Sequence, residues 1–270
     1  METNNIKPED KLEEEYLEHP IFGQLDFFSD FYDRLSFQAM DRLSTGIISY
    51  DNLDIYTYSS IKGTIESIKD ILKKGRINDA YTLLRKYYDS TILNVYTNLF
   101  LEDNCSFENF IVAQIEGWCR GNKEPPRYKI MSDYIRKSTK LKRINELLLK
   151  DDKYKEIRNR CNDNTHYNSY KHILLNDNEI YNPNRKECLD VFAEDIEAIF
   201  IQHFAYTFYL KEEYMMSSDY IDYIDIRREP IEGSQYWVAN FIQETFTQII
   251  KAKRYDIAQE IKAETLMQIE

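Results

Sequence analysis

The sequence predicts an all-α protein, and three observations carry that expectation. Apolar residues recur at i, i+3, i+4 and i+7 through most of the chain. Only 7 Gly and 6 Pro punctuate its 270 residues, too few for the turns an all-β fold needs. Loose strand-like alternation is confined to 47–58, where Asp51 and Asn52 interrupt it, so that stretch reads as a loop or short irregular link. With 43% hydrophobic residues, the chain can bury one large core or two small ones without disulfides.

The elements follow in order. Met1 to His19 is an acidic leader. After Pro20, residues Phe22, Leu25, Phe28, Phe31, Tyr32 and Leu35 mark an aromatic-rich helix over 21–43, closed by Gly46. Ser60 caps the next helix, whose stripe Ile61, Ile65, Ile68, Ile71 and Leu72 ends at Lys73, Lys74 and Gly75. A long helix then runs from Ile77 past Leu99, and the short connection makes the two a hairpin. Phe107 to Trp118 is a further helix, stopped by Gly121 and Pro125-Pro126. A basic helix is expected over 129–150, followed by a polar stretch over 151–169, the apolar Ile173 to Leu175, and a turn-rich loop over 176–185 holding Asn182-Pro183. From Glu187 the chain enters its most apolar helix, with Leu189, Phe192, Ile196, Ile199, Phe200 and Phe204 among its members. His203 within it reads as a hydrogen-bonded core residue. An acidic, Tyr-rich segment over 214–225 and a break at Pro230 and Gly233 precede two final helices over 235–254 and 256–269. The expected division is an N-terminal arm with its aromatic helix over 1–59, a helical bundle over 60–212 and a C-terminal helical extension over 213–270.

Composition excludes several function classes. No run of about 18 apolar residues occurs and the leader is acidic, so neither a membrane span nor a signal peptide is indicated, no membrane association is expected, and the expected compartment is the cytoplasm. Cys105, Cys119, Cys161 and Cys188 are far apart with no C-x-x-C pair and read as free thiols. No Gly-rich phosphate loop is present, and Glu194, Glu197 and His203 do not make a Glu-x-x-His metal motif, so no cofactor or metal is expected. The net charge of −12 opposes nucleic-acid binding on average. From Arg120 to Arg160, however, 14 basic residues face 6 acidic ones, a local excess of +8. That run is either a solvated helix face or an anion-binding surface, since potential follows local charge.

Potential catalytic side chains concentrate in Arg158-Asn159-Arg160-Cys161-Asn162-Asp163-Asn164-Thr165-His166-Tyr167. Its Asn and Asp residues favour local side-chain-to-backbone bonds, which suggests a helix end or a kinked junction. An imidazole can take the proton of a ribose 2′-hydroxyl and a guanidinium can neutralise the phosphorane, so Arg and His suffice for metal-free RNA cleavage. Six positions apart on a straight helix they differ by about 240° in direction, so a kink or a second subunit is needed to converge them. The competing reading is that His166 only caps the next helix.

Arg160, five residues and then His166 resembles the signature of the HEPN superfamily, all-helical domains marked by Arg, four to six residues, and His. The upstream run from Gly75 to Asp89 is similar to the early long helix of such proteins, and the resemblance spans about 150 residues, from Ser60 to Leu210. It implies a metal-independent ribonuclease acting as a homodimer, in a bacterial defence or toxin setting that would include a regulatory protein partner. Carried over residue by residue, His166 would be acid and base, Arg160 or Arg158 would stabilise the phosphate, and Asn159, Asn162 and Asn164 would support them. Cys161 follows Arg160 where family enzymes usually carry Asn, Asp or His, whereas Arg158-Asn159 has that dipeptide at a longer spacing from His166. Tyr stands at 167 and 170 and Asn at 168, so the tyrosine that some toxins of this group modify has no counterpart. Lys140, Lys142 and Arg143 are expected to bind substrate phosphates. The alternative from another class is a non-catalytic helical module that dimerises or docks a partner.

Overall fold

A computed structural model of the chain describes residues 12–40, 52–106, 112–177 and 185–270. Among the described residues the fold is α-helical, with no strand and one isolated antiparallel β-bridge, Met216 to Val238. The helices are α1 (Glu14–Leu17), α2 (Ile21–Met40), α3 (Asn52–Lys73), α4 (Ile77–Asn104), α5 (Ala113–Cys119), α6 (Tyr128–Lys137), α7 (Lys142–Leu148), α8 (Lys153–Thr165), α9 (Tyr170–Leu174), α10 (Arg185–Leu210), α11 (Asp219–Asp225), α12 (Asn240–Thr245) and α13 (Tyr255–Glu264). Two compact units are present, residues 1–90 with 151–200 and residues 91–150 with 201–270. They interleave along the chain, unlike the sequential division at 59/60 and 212/213.

Several boundaries differ from expectation for identifiable reasons. Helix α3 starts at Asn52 rather than Ser60, so residues 52–58 are helical and not an irregular link. Asp54 and Tyr58 extend the buried row Ile61, Ile65, Ile68 and Leu72 backwards at spacings of three and four, and Asp54 puts a carboxylate in the first turn. The basic helix is two helices, α6 and α7. Ser138 leaves the helical region at φ −61 and ψ 127, and the side chain of Asn145 donates to the carbonyl of Ile135 at 2.9 Å, satisfying an end that would otherwise be orphaned. The last stretch is a 3₁₀ turn at Ser234–Tyr236, then α12 running into a π-helical turn at Phe246–Lys251, then α13. The first eleven residues of the acidic leader, the predicted continuation of α2 beyond Met40 with Gly46, residues 107–111 of the helix expected before Trp118, and Asn182-Pro183 lie outside the described residues.

In the first unit, an aromatic cluster joins α2, α3, α4 and α10. Phe28 stacks on Phe200 with centroids 4.1 Å apart, Phe31 meets the same ring edge-on at 5.0 Å, and the hydroxyls of Tyr32 and Tyr87 share a hydrogen bond of 3.0 Å. Each such buried ring contributes about 2 to 3 kcal/mol. Lys62 with Asp33 and Lys69 with Asp26 flank the α2–α3 contact. The turn Lys74-Gly75-Arg76 needs its glycine, which sits at φ 72. Asn176 then accepts from the backbone N–H of Asp79 at 3.2 Å, and the Leu175 carbonyl accepts from that of Ile77 at 3.1 Å, so the segment after α9 caps the start of α4.

In the second unit, α10 supplies Phe204 and Phe208, whose rings lie 4.5 Å apart, and Tyr206, whose hydroxyl bonds Asn145. His203 is buried with Nε2 2.9 Å from Oδ1 of Asn94, matching the core role read from sequence, and burial pushes its pKa down to about 3. Arg254 donates to the Leu147 carbonyl at 2.7 Å and pairs with Asp256, which holds that carboxyl down at about 2. Tyr87, Tyr88, Tyr96 and Phe246 are buried within one chain.

Candidate functional site

Helix α8 carries the motif and runs unbroken from Lys153 to Thr165, so of the helix end or kinked junction expected there it is the helix end that forms. Two of its polar side chains bond back along the helix: Asn164 Nδ2 donates to the Arg160 carbonyl at 2.9 Å and Thr165 Oγ1 to the Cys161 carbonyl at 2.8 Å. Tyr154, Ile157, Cys161 and Asn164 form its buried row, in which Cys161 acts as a small apolar residue. Burial pushes the Cys161 thiol up to about 12.

The helix closes with two reversed hydrogen bonds, Asn168 N–H to the Asp163 carbonyl at 3.0 Å and Tyr167 N–H to the Asn164 carbonyl at 3.3 Å. That closure puts Tyr167 at φ 50, the position usually given to glycine, at a cost of about 1 to 2 kcal/mol. His166 is the residue at which α8 ends; its backbone N–H bonds the Asn162 carbonyl at 3.0 Å and its side chain is exposed.

The two candidate arginines are held differently. Arg160 donates from Nε to Oδ2 of Asp195 at 2.9 Å and from Nη2 to Oδ1 at 2.5 Å, a bidentate pair with a carboxylate that is 1% exposed on α10. The hydrogen bonds it donates to Asp195 hold the guanidinium above its usual pKa, while burial raises that of Asp195 against the opposing pull of Arg160. The Arg160 side chain is 36% exposed, and among the described residues no acceptor meets its Nη1. Arg158 is 18% exposed and forms a close ion pair with Asp89, which Arg85 also approaches at 3.8 Å.

The flanking asparagines separate as well. Asn164 is buried and accepts from Asn78 Nδ2 at its carbonyl (2.9 Å) and at Oδ1 (3.1 Å), which ties α8 to the start of α4. Asn159 is exposed. Asn162 has a buried Oδ1 that meets no donor among the described residues. Arg160 turns toward α10 while His166 stands at the open end of α8, so one chain does not bring them onto a common centre.

The basic run is less available than its count suggests. Lys140 pairs with Glu102, and Arg143 lies 3.2 Å from Glu146 and 3.8 Å from Glu260, whereas Lys142 is exposed with no acidic partner among the described residues. A phosphate at Lys140 or Arg143 must displace a carboxylate; at Lys142 it need not. Sequence reasoning missed Asp89 and Asp195 as the partners of the arginines. For Asp195 a signal existed, because a carboxylate between Phe192 and Ile196 on the most apolar helix needs a cation to be buried.

All four cysteines are free thiols. Among the described residues no three His, Cys, Asp or Glu side chains gather as metal ligands, and no described helix is long and apolar enough to cross a membrane. No family model matches the chain, and no curated protein or solved structure matches it either.

Proposed function

We propose that the chain is a metal-independent RNA endonuclease of the HEPN type that works as a homodimer. The observation that carries this reading is the anchoring of Arg160: a buried carboxylate orients Nε and Nη2, leaving Nη1 uncommitted on the same helix whose end exposes His166. A guanidinium fixed in this way is pre-organised to meet charge that develops on a phosphate. Arg160, rather than Arg158 with its close ion pair to Asp89, is then the phosphate ligand, and Asn164 supports the helix instead of the substrate.

In this reaction the imidazole of His166 takes the proton of the ribose 2′-hydroxyl, the 2′-oxygen bonds phosphorus, and the bond from phosphorus to the 5′-oxygen breaks. The leaving oxygen takes a proton from the second copy of His166. The products are a 2′,3′-cyclic phosphate and a 5′-hydroxyl. Because Arg160 and His166 diverge on a straight helix, the reading requires a twofold axis that supplies the missing set. That requirement is the case for a dimer. A defence or toxin setting and a regulatory protein partner belong to the same proposal.

The alternative is a non-catalytic docking module, favoured by the interior commitments of Arg158 and Asn164. Purified chain incubated with total RNA in EDTA, beside His166→Ala, separates the two. Cyclic phosphate ends that vanish in the variant, together with a light-scattering mass of twice 32.5 kDa, support the nuclease. No cleavage by the parent chain under these conditions, with a monomer mass, refutes it.

A further inference from the structure

Beyond His166, the corner between α8 and α9 presents aromatic surface that the fold does not use. Tyr167 is 51% exposed and Tyr170 is 72% exposed, although 22 tyrosines share this chain and many of them are buried. Tyr167 is held in a left-handed conformation that asparagine or glycine would adopt more easily, and the ring displayed there covers no core. One carboxylate stands at the corner, Asp163, whose Oδ1 accepts from Asn168 Nδ2 at 2.8 Å. Residues 164–176 contain no Asp or Glu, although the chain holds 47, and they include His166, Lys171 and His172. The two rings stand three positions apart in sequence, so their Cα atoms are at most about 11 Å apart, within reach of neighbouring nucleotides.

We infer that Tyr167 and Tyr170 are a stacking platform for unpaired bases, so that the substrate is single-stranded RNA, laid with its backbone toward Lys171 and His166. Every base offers a π-face, which makes such a platform tolerant of sequence, and a duplex whose bases are stacked on one another cannot use it. Lys171 supplies a cation at the corner for a polyanion, and the amide of Asn168 holds the Asp163 carboxylate. The exposed isoleucines Ile224, Ile226 and Ile231 make a contrasting patch, set among Asp222, Asp225, Glu229 and Glu232, and do not suit RNA.

The inference rests on the nuclease reading but is tested apart from cleavage. A labelled single-stranded RNA carrying 2′-O-methyl groups at every position has no nucleophile and reports binding alone. Its fluorescence anisotropy is followed with the full chain, Tyr170→Ala, Tyr170→Trp and Tyr167→Asn, the last keeping the left-handed backbone while removing the ring. Tyr170→Ala and Tyr167→Asn should each weaken binding about tenfold, Tyr170→Trp should restore it, and a blunt RNA duplex should bind far more weakly than the single strand. Helical circular dichroism should stay unchanged, because both side chains are exposed. Parent-like binding by the two ring-removing variants, or no binding by the parent chain, overturns the platform. If Tyr170→Ala instead splits a dimer while oligonucleotide binding holds, the patch is a protein surface and the inference is wrong. Intact, ring-dependent binding without cyclic phosphate ends on unmodified RNA would refute the nuclease and leave the platform standing.

Discussion

The hydroxyl of Tyr206 donates to Oδ1 of Asn145 at 2.6 Å, and Nδ2 of the same asparagine donates to the Ile135 carbonyl at 2.9 Å. One buried amide thus ends α6, orients α7 and satisfies a tyrosine on α10. Asn145→Ala should cost about 3 kcal/mol, since it removes the bonds that the amide makes to the end of α6 and to a buried phenol, whereas Tyr206→Phe should cost about 1 to 2 kcal/mol. Urea denaturation of both variants checks the order, and equal losses would argue that the amide does no more than accept from the phenol.

Acid should unfold the protein through His203 before any surface carboxylate matters. Its folded-state pKa is about 3 against an ordinary 6.5, so between those values the unfolded chain binds the extra proton. Stability is therefore full above about pH 6.5 and falls as pH drops toward 3, by on the order of 5 kcal/mol. Asp256, held at about 2 against 3.8, adds a loss in the same direction below pH 4. Replacing His203 with Gln, which can still donate to Asn94, should flatten the slope between pH 6.5 and 4 in denaturant titrations.

Truncating Arg160 should do more harm than truncating its pair. Arg160→Ala leaves the buried Asp195 carboxylate without its cation, at a cost of about 2 to 3 kcal/mol once the partial exposure of the arginine is allowed for. Adding Asp195→Leu should recover part of that loss. A double-mutant cycle in urea gives the coupling, and a coupling near zero would mean that the pair does not hold α8 on α10.

Among the basic residues, Lys142 should dominate the salt dependence of RNA binding. Lys142→Glu should lower the slope of log K against log salt by about 0.7 for a single strand, while Lys140→Gln should change it little, because Glu102 already holds that ammonium. Anisotropy at several salt concentrations tests the order. If Lys140 and Lys142 contribute equally, the ion pair with Glu102 opens at no cost.

Much of the helical framework was legible because period and breakers speak locally. The stripe from Ile61 to Leu72 and the 28-residue α4, which contains neither Gly nor Pro, needed no tertiary information. Residues 52–58 misled because the loose alternation of 47–58, broken by Asp51 and Asn52, looks irregular until the buried row that Asp54 and Tyr58 extend is known. The gap between α6 and α7 was invisible because it depends on Asn145 reaching back ten residues to a carbonyl. At the candidate site, residue types and spacing identified the segment, but the fates of its members came from distant partners: Asp89 for Arg158, Asp195 for Arg160 and Asn78 for Asn164. Short-range patterns do not encode such pairings.

The buried thiol next to Arg160 gives the motif helix its own clock. Cys161 can meet an alkylating reagent only when α8 lifts from its bed and the burial that holds its thiol protonated is lost, whereas the exposed Cys105 is open to reagent at all times. The ratio of the two labelling rates in the native protein, corrected by the ratio in denaturant, therefore yields the opening equilibrium of the segment that carries Arg160 and His166. Substrate that engages those residues should slow the clock at Cys161 and leave Cys105 ticking as before.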